Sequence, residues 1–203
     1  MLDPSRLVWR NPATWYGLFG VVLLALTLWT PWATAARTTR VEERAQQLAV
    51  ACAECLASLA PGNDAAAREH FLARWQALAA ARGAFVGDLE PGAEPAQPSV
   101  LLFANKHYAF QVAPSPPPVR EPGGPGTLPP LEVIAWPLAA VGPGHCVFFV
   151  PSNAPRAYSR NLTAGYAGWH RAPPPGCGHR RAGSANESNL AYRGEDDERW
   201  VPF

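Results

Sequence analysis

Between Arg10 and Arg37 the chain carries no charged residue. Within that interval Trp15–Trp32, WYGLFGVVLLALTLWTPW, has a centre of Gly, Val, Leu, Phe and Ala. At about 1.5 Å per residue, roughly 20 such residues cross the hydrocarbon core of a bilayer. Trp15 and Tyr16 stand at one end and Trp29 and Trp32 at the other, where amphipathic rings favour the water–lipid boundary. The segment, taken as residues 15–36, reads as an uncleaved single-pass anchor after a short tail, 1–14. The competing reading is a cleaved signal peptide. It rests on Ala33-Thr34-Ala35, an A-x-A site, and on Pro31, which would end the apolar helix just before it.

After the apolar run about 165 residues remain, enough for one domain with a modest core. The net charge is +1, and the basic residues, all Arg except Lys106, gather into no stripe. That argues against a nucleic-acid partner. Positive charges flank the apolar run on both sides (Arg6 and Arg10, then Arg37, Arg40 and Arg44), so they do not decide orientation. Long domains translocate largely regardless of charge, and four cysteines suit an oxidising compartment. The bulk of the chain is therefore expected in the periplasm or outside the cell.

Thr39-Arg40-Val41-Glu42 reads as a capping box, the Thr hydroxyl taking a free amide while Glu reaches back. Behind it Val41, Ala45, Leu48, Cys52, Cys55 or Leu56, and Leu59 recur at helical spacing, and Pro61-Gly62 would end the helix. Whether this helix continues the membrane helix or restarts after Pro31 is open at this point. A second helix is expected over 65–82, capped by Asn63 or Asp64 and ended by Gly83. Val100–Ala104 reads as a strand, Asn105-Lys106 as a turn, and Tyr108, Phe110 and Val112 as one face of the next strand. Pro114–Pro130 holds eight prolines, which lack the amides a central strand needs, and reads as a surface loop. Leu131–Trp136 and His145–Val150 are further strand candidates. The fold class expected is α+β: a transmembrane helix, one or two amphipathic helices, a small antiparallel sheet to residue 150, and a Pro/Gly-rich extension, 151–203. The aromatics of that extension (Tyr158, Tyr166, Trp169, Tyr192 and Trp200) argue against pure disorder.

The order of membrane helix, further helix and late antiparallel sheet resembles that of type IV pilins and type II secretion pseudopilins. RVEERAQQLAVACAECLASLA looks like their first helix, KHYAFQV like one of their strands, and EVIAWPLAAVGPGHCVFFV like their turn and Phe-rich hairpin. Gly17-Leu18-Phe19 opens the apolar run, but no Asp or Glu lies between there and Arg37 to supply the acidic residue of a processed pilin. The resemblance implies an architecture and an assembly role, and it carries over no functional residue.

No catalytic set stands out, and a non-enzymatic chain without a cofactor is expected. GxSxG, P-loop, dinucleotide and HExxH motifs are absent. Cys52-Ala53-Glu54-Cys55 invites a redox reading, but both cysteines lie mid-helix on the apolar stripe, where cysteine acts as a small hydrophobe. His145-Cys146 and Cys177-Gly178-His179 could contribute to a metal site, though their spacing matches no compact zinc motif. A Cys146–Cys177 disulfide, closing a loop of about 30 residues for roughly 3–4 kcal/mol, is the preferred pairing. Asn161-Leu162-Thr163 and Asn186-Glu187-Ser188 match the glycosylation sequon. Glu195–Glu198 reads as a solvated acidic run. The function expected is a membrane-anchored structural or interaction protein, with the lipid bilayer and a protein partner or second copy as its contacts. The alternative is an anchored redox or metal-binding protein using Cys52 and Cys55, or Cys146 and Cys177 with His145 and His179.

Overall fold

A computed structural model of the chain describes residues 12–57, 89–91, 100–115, 131–152, 154–181 and 190–203. It divides into two compact units, Met1–Arg40 and Val41–Phe203. The expected helix over 65–82, the Pro61-Gly62 terminator and residues 116–130 of the proline-rich segment lie outside the described residues.

In the first unit the apolar run is helical. It belongs to one helix, α1 (Pro12–Ala57), with Pro31 in its interior. The point left open at Pro31 is thereby answered: the helix continues through it. An interior proline costs a helix about 3 kcal/mol through its lost N–H and its clash with the preceding turn. Threonine hydroxyls around it bond back to helix carbonyls: Thr27 to Leu24, and Thr34 to both Thr30 and Pro31, at 2.9–3.0 Å. α1 is long and apolar enough to cross a membrane, and none of its most apolar 18-residue stretch is buried.

The capping box is also overturned, because residues 39–42 lie inside α1. Thr39 Oγ1 donates to the Ala35 carbonyl at 3.1 Å instead of capping an amide. Glu42 turns outward to accept from the amides of His145 and Cys146 at 2.8 and 3.2 Å.

The second unit is an eight-stranded antiparallel sheet. Its strands are β1 (Glu90–Pro91), β2 (Leu101–Ala104), β3 (Tyr108–Pro114), β4 (Leu131–Pro137), β5 (Val147–Pro151), β6 (Ala157–Ser159), β7 (Tyr192–Arg193) and β8 (Arg199–Pro202). The order is β1-β2-β3-β4-β5-β6-β8-β7. Five strands end on a proline, whose missing amide cannot continue the ladder. Asn105 makes the β2–β3 turn, its Oδ1 accepting from the amides of His107 and Tyr108.

The three central strands are buried on both faces. Tyr108, Phe110 and Val112 of β3, Val133 and Ala135 of β4, and Phe148 and Val150 of β5 pack with Ala45, Leu48, Ala49 and Cys52 of α1. The register puts Ala135 between Phe110 and Phe148, a small residue flanked by two rings. On the other face Ala109, Ile134, Trp136, Val147 and Phe149 pack with Tyr166, Cys177, Tyr192 and Trp200. The C-terminal extension thus supplies three strands and the cover of the second face. It lacked a period to announce it because its contacts come from turns and single aromatics.

That cover is tight. A Cβ on Gly178 would lie 2.3 Å from Cγ of Phe149. Gly178→Ala is expected to cost about 1–3 kcal/mol by overpacking, read as a lower denaturant midpoint at unchanged slope. An unchanged midpoint would mean that 176–179 does not press on Phe149.

Candidate functional site

Period-two alternation carries Glu132 to the same face as Ile134 and Trp136, and Ser115, one residue beyond β3, to the same face as Ala109. Both are buried, Glu132 at 0% and Ser115 at 2% exposure. The segment 176–179 lies over them. Glu132 Oε1 accepts from the Gly176 amide. His179 Nε2 stands 3.2 Å from Glu132 Oε2 and 2.5 Å from Ser115 Oγ. The imidazole stands edge-on to Phe149, with centroids 5.1 Å apart. Tyr192 Oη donates to the Gly178 carbonyl at 2.8 Å, and the Glu195 amide to that of His179 at 3.0 Å.

Serine, histidine and carboxylate together suggest acyl-transfer chemistry, but their connectivity differs from a triad's. A triad carboxylate holds the ring nitrogen opposite the one that faces the nucleophile. Here Glu132 and Ser115 share Nε2. A nitrogen whose proton faces a carboxylate has no lone pair free to take the serine proton. Ser115 is also closed to substrate. The cluster is built to latch 176–179 onto the sheet.

A second carboxylate network closes the next part of the cover. Glu198, 2% exposed, accepts from Ser159 Oγ at 2.9 Å and from the amides of Thr163 and Ala164. Asp196 accepts from Tyr166 Oη and Trp200 Nε1 at 3.0 and 3.1 Å. Burial nevertheless raises its carboxyl, with those hydrogen bonds opposing the rise. The run 195–198 is therefore not uniformly solvated: Glu195 and Asp197 are exposed while Glu198 is buried and Asp196 half-buried. Asn161, in the left-handed region at φ 56°, uses its side chain on both the amide and the carbonyl of Tyr166.

The structure does not bring Cys146 and Cys177 together. Both are free thiols. Cys146 packs toward the α1 side of the sheet, and Cys177 lies in the opposite core. His145 adjoins Cys146, and His179 lies over Glu132, so the proposed Cys/His metal set is split between faces. Among the described residues no three His, Cys, Asp or Glu side chains are grouped to hold one metal. Cys52 is buried against the sheet; the side chain of Cys55 lies outside the described residues. Trp15, Tyr16, Trp29 and Trp32 are all exposed on α1.

Burial, then the charge of Glu42, pushes the Cys146 thiol up to about 12. Burial, then Asp196 and Glu132, raises Cys177. Protonated thiols are poor nucleophiles. Because Cys146 titrates above its ordinary 9.0 when folded, its stabilising contribution is complete below pH 9 and is lost as pH rises toward 12. Both thiols are expected to resist iodoacetamide at pH 8 in the native protein and to react once it is unfolded without reductant. A Cys146–Cys177 cross-linked peptide in the non-reduced digest would overturn this.

Comparison with known proteins identifies no relative. No protein-family model, no curated protein and no solved structure matches the chain. Its functional reading rests on its own geometry. The buried residues Glu132, Ser115 and Glu198 were missed because a carboxylate or hydroxyl in a strand or turn ordinarily reads as solvent-facing. The one signal was parity: Glu132 alternates in step with Ile134 and Trp136.

Proposed function

We propose that the chain is a single-pass membrane-anchored protein, its sheet domain outside the cytoplasm, acting by contact as a structural or interaction subunit of a membrane assembly. The observation that carries this reading is the exposed apolar surface of α1. Leu18, Phe19, Val21, Leu24 and Leu28 are each more than half exposed. A continuous apolar surface of this kind is covered by lipid or by another protein. Long helix first and antiparallel sheet after is also the order of the pilin resemblance, which supports the assembly role.

Two further features favour contact over chemistry. The Ser115–His179–Glu132 geometry suits a latch, and the two thiols are held protonated. Trp200, Tyr166 and Tyr192 are used by the domain's own core, and the apolar surface of α1 is the contact surface proposed.

The test is membrane fractionation of cells expressing the full chain, with protease added to intact spheroplasts. The chain should stay in the pellet through alkaline carbonate and leave only with detergent. Its sheet domain should be open to protease from outside. Recovery as a soluble protein starting after Ala35 would replace the anchor with a cleaved signal. Protection of the domain from protease would overturn the orientation, and purification without any partner or second copy would overturn the assembly role.

A further inference from the structure

Along the sequence the basic residues gather into no stripe, but strand pairing builds one. Arg193 of β7 stands directly opposite Arg199 of β8. On the other side of β8, Ser159 of β6 pairs with Trp200, which brings the next residue, Arg160, opposite Arg199. Beyond β7 the Arg181 amide donates to the Arg193 carbonyl at 3.0 Å. Four arginines from four segments thus form one row across neighbouring chains about 4.8 Å apart. Alternation fixes their side. Ser159, Trp200 and Tyr192 are buried, and the arginines next to them are exposed on the opposite face, the one on which α1 packs at β3, β4 and β5.

Like charges directly opposite each other destabilise a sheet, and little in the fold offsets this row. The Asp197 carboxylate binds Arg181, and the Asp197 carbonyl accepts from Arg193. At the β5 end of the row Glu42 is given to the amides of His145 and Cys146. Among the described residues no carboxylate pairs with Arg160 or Arg199.

Next to the row the same face is apolar. Tyr158 of β6 pairs with Val201 of β8, and both are half-buried. Phe203, 42% exposed, stands edge-on to Phe148 and 6.4 Å from the Tyr158 ring. Arg156, also exposed, borders the far side, its carbonyl accepting from the Phe203 amide. An apolar strip between guanidinium groups complements a segment that carries carboxylates and apolar side chains together. Guanidinium and carboxylate pair through two parallel hydrogen bonds, and the rings take the apolar side chains. A charged polymer without apolar groups would use the arginines and leave the rings in water. We propose that this face of β6, β8 and β7 docks an acidic, amphipathic segment of a partner protein. The inference rests on the interaction role proposed above and names the partner's chemistry.

Selection from a random-peptide display library, on the full chain in detergent, tests it. Enriched peptides should combine Asp or Glu with aliphatic or aromatic residues. In fluorescence anisotropy, Arg160→Gln combined with Arg199→Gln should weaken an enriched peptide by roughly tenfold, as loss of charge-assisted hydrogen bonds does. Phe203→Ala should weaken it too, and Lys106→Gln in the β2–β3 turn should not. The double arginine variant should melt no lower than the unchanged protein, because it relieves facing like charges. A lower melting temperature would mean that the row serves the fold, and would overturn the docking role. Peptides without acidic bias, or peptides indifferent to the arginine pair, would overturn it as well. Heparin or polyphosphate bound more tightly than any peptide, and equally by Phe203→Ala, would overturn the protein occupant in favour of a charged polymer. Carbonate extraction and co-purification read the anchored assembly separately, so failure of this surface leaves that reading standing.

Discussion

Trp200→Ala should cost the sheet domain about 3–5 kcal/mol, as removal of a fully buried aromatic does. Trp200 is 0% exposed, and its ring lies 5.8 Å from that of Phe149. It sits in β8 opposite both Ser159 of β6 and Tyr192 of β7, so one side chain joins three strands to the second core. Its Nε1 donates to Asp196, which also accepts from Tyr166. Truncation would open a cavity and leave Asp196 short of a donor at the same time. Stability of a domain is only about 5–15 kcal/mol, so the loss is a large share of the whole. Thermal unfolding in detergent should show a midpoint lower by roughly 10 °C. A change below about 1 kcal/mol would mean that the C-terminal segment does not close the core.

Glu132→Ala should be comparably damaging, by about 3–5 kcal/mol, because it leaves the buried Gly176 amide without its acceptor and opens a cavity beside the second core. Glu132 is fully buried and takes both the Gly176 amide and His179 Nε2. Without it the Gly176 N–H has no acceptor and His179 Nε2 keeps only Ser115 Oγ, so the cover over Phe149 loses its latch. Glu132→Gln retains one acceptor oxygen for Gly176 but turns an amide toward His179. It should lose only about 1–2 kcal/mol. Urea unfolding of the two variants, alone and combined with His179→Ala, separates the roles. A latch requires coupling between residues 132 and 179. Additive losses would mean that Glu132 matters only through the Gly176 amide.

Both predictions concern residues whose importance was unevenly legible. Trp200 stood out as an aromatic in a segment without a period, which argued for order and named no site. Glu132 stood in a strand that the sequence did reveal, yet nothing local marked its carboxylate as buried. The difference is one of range. Alternation over 108–112 and 131–136 is a local pattern, and it placed Tyr108, Phe110 and Val112 on one face as found. The layer covering the opposite face comes from residues between Tyr166 and Trp200, far along the chain from both stretches. No local period records that.

The capping signal at Thr39 misled for a related reason, and Pro31 left the course of the helix open. Thr39, Glu42 and Pro31 each have a local meaning in an isolated peptide. In the folded chain α1 runs through all three, and Glu42 is given to the amides of His145 and Cys146 instead. The structure holds Cys146 and Cys177 as free thiols in different cores, and loop length says nothing of which face of the sheet a thiol will occupy.

Local pattern alone was enough for the apolar helix at 15–32, the absence of catalytic motifs, and the central strands with one of their two faces. Those features are written in composition and in periods of 2 and 3.6, which neighbouring residues carry among themselves. It took the folded chain to show that α1 passes Pro31 unbroken, that the C-terminal extension covers the second face of the sheet, and that Glu132, His179 and Ser115 meet. Such contacts join residues up to 64 positions apart. Their stabilisation comes from excluding water on both faces of a sheet, which no short stretch of chain can do alone.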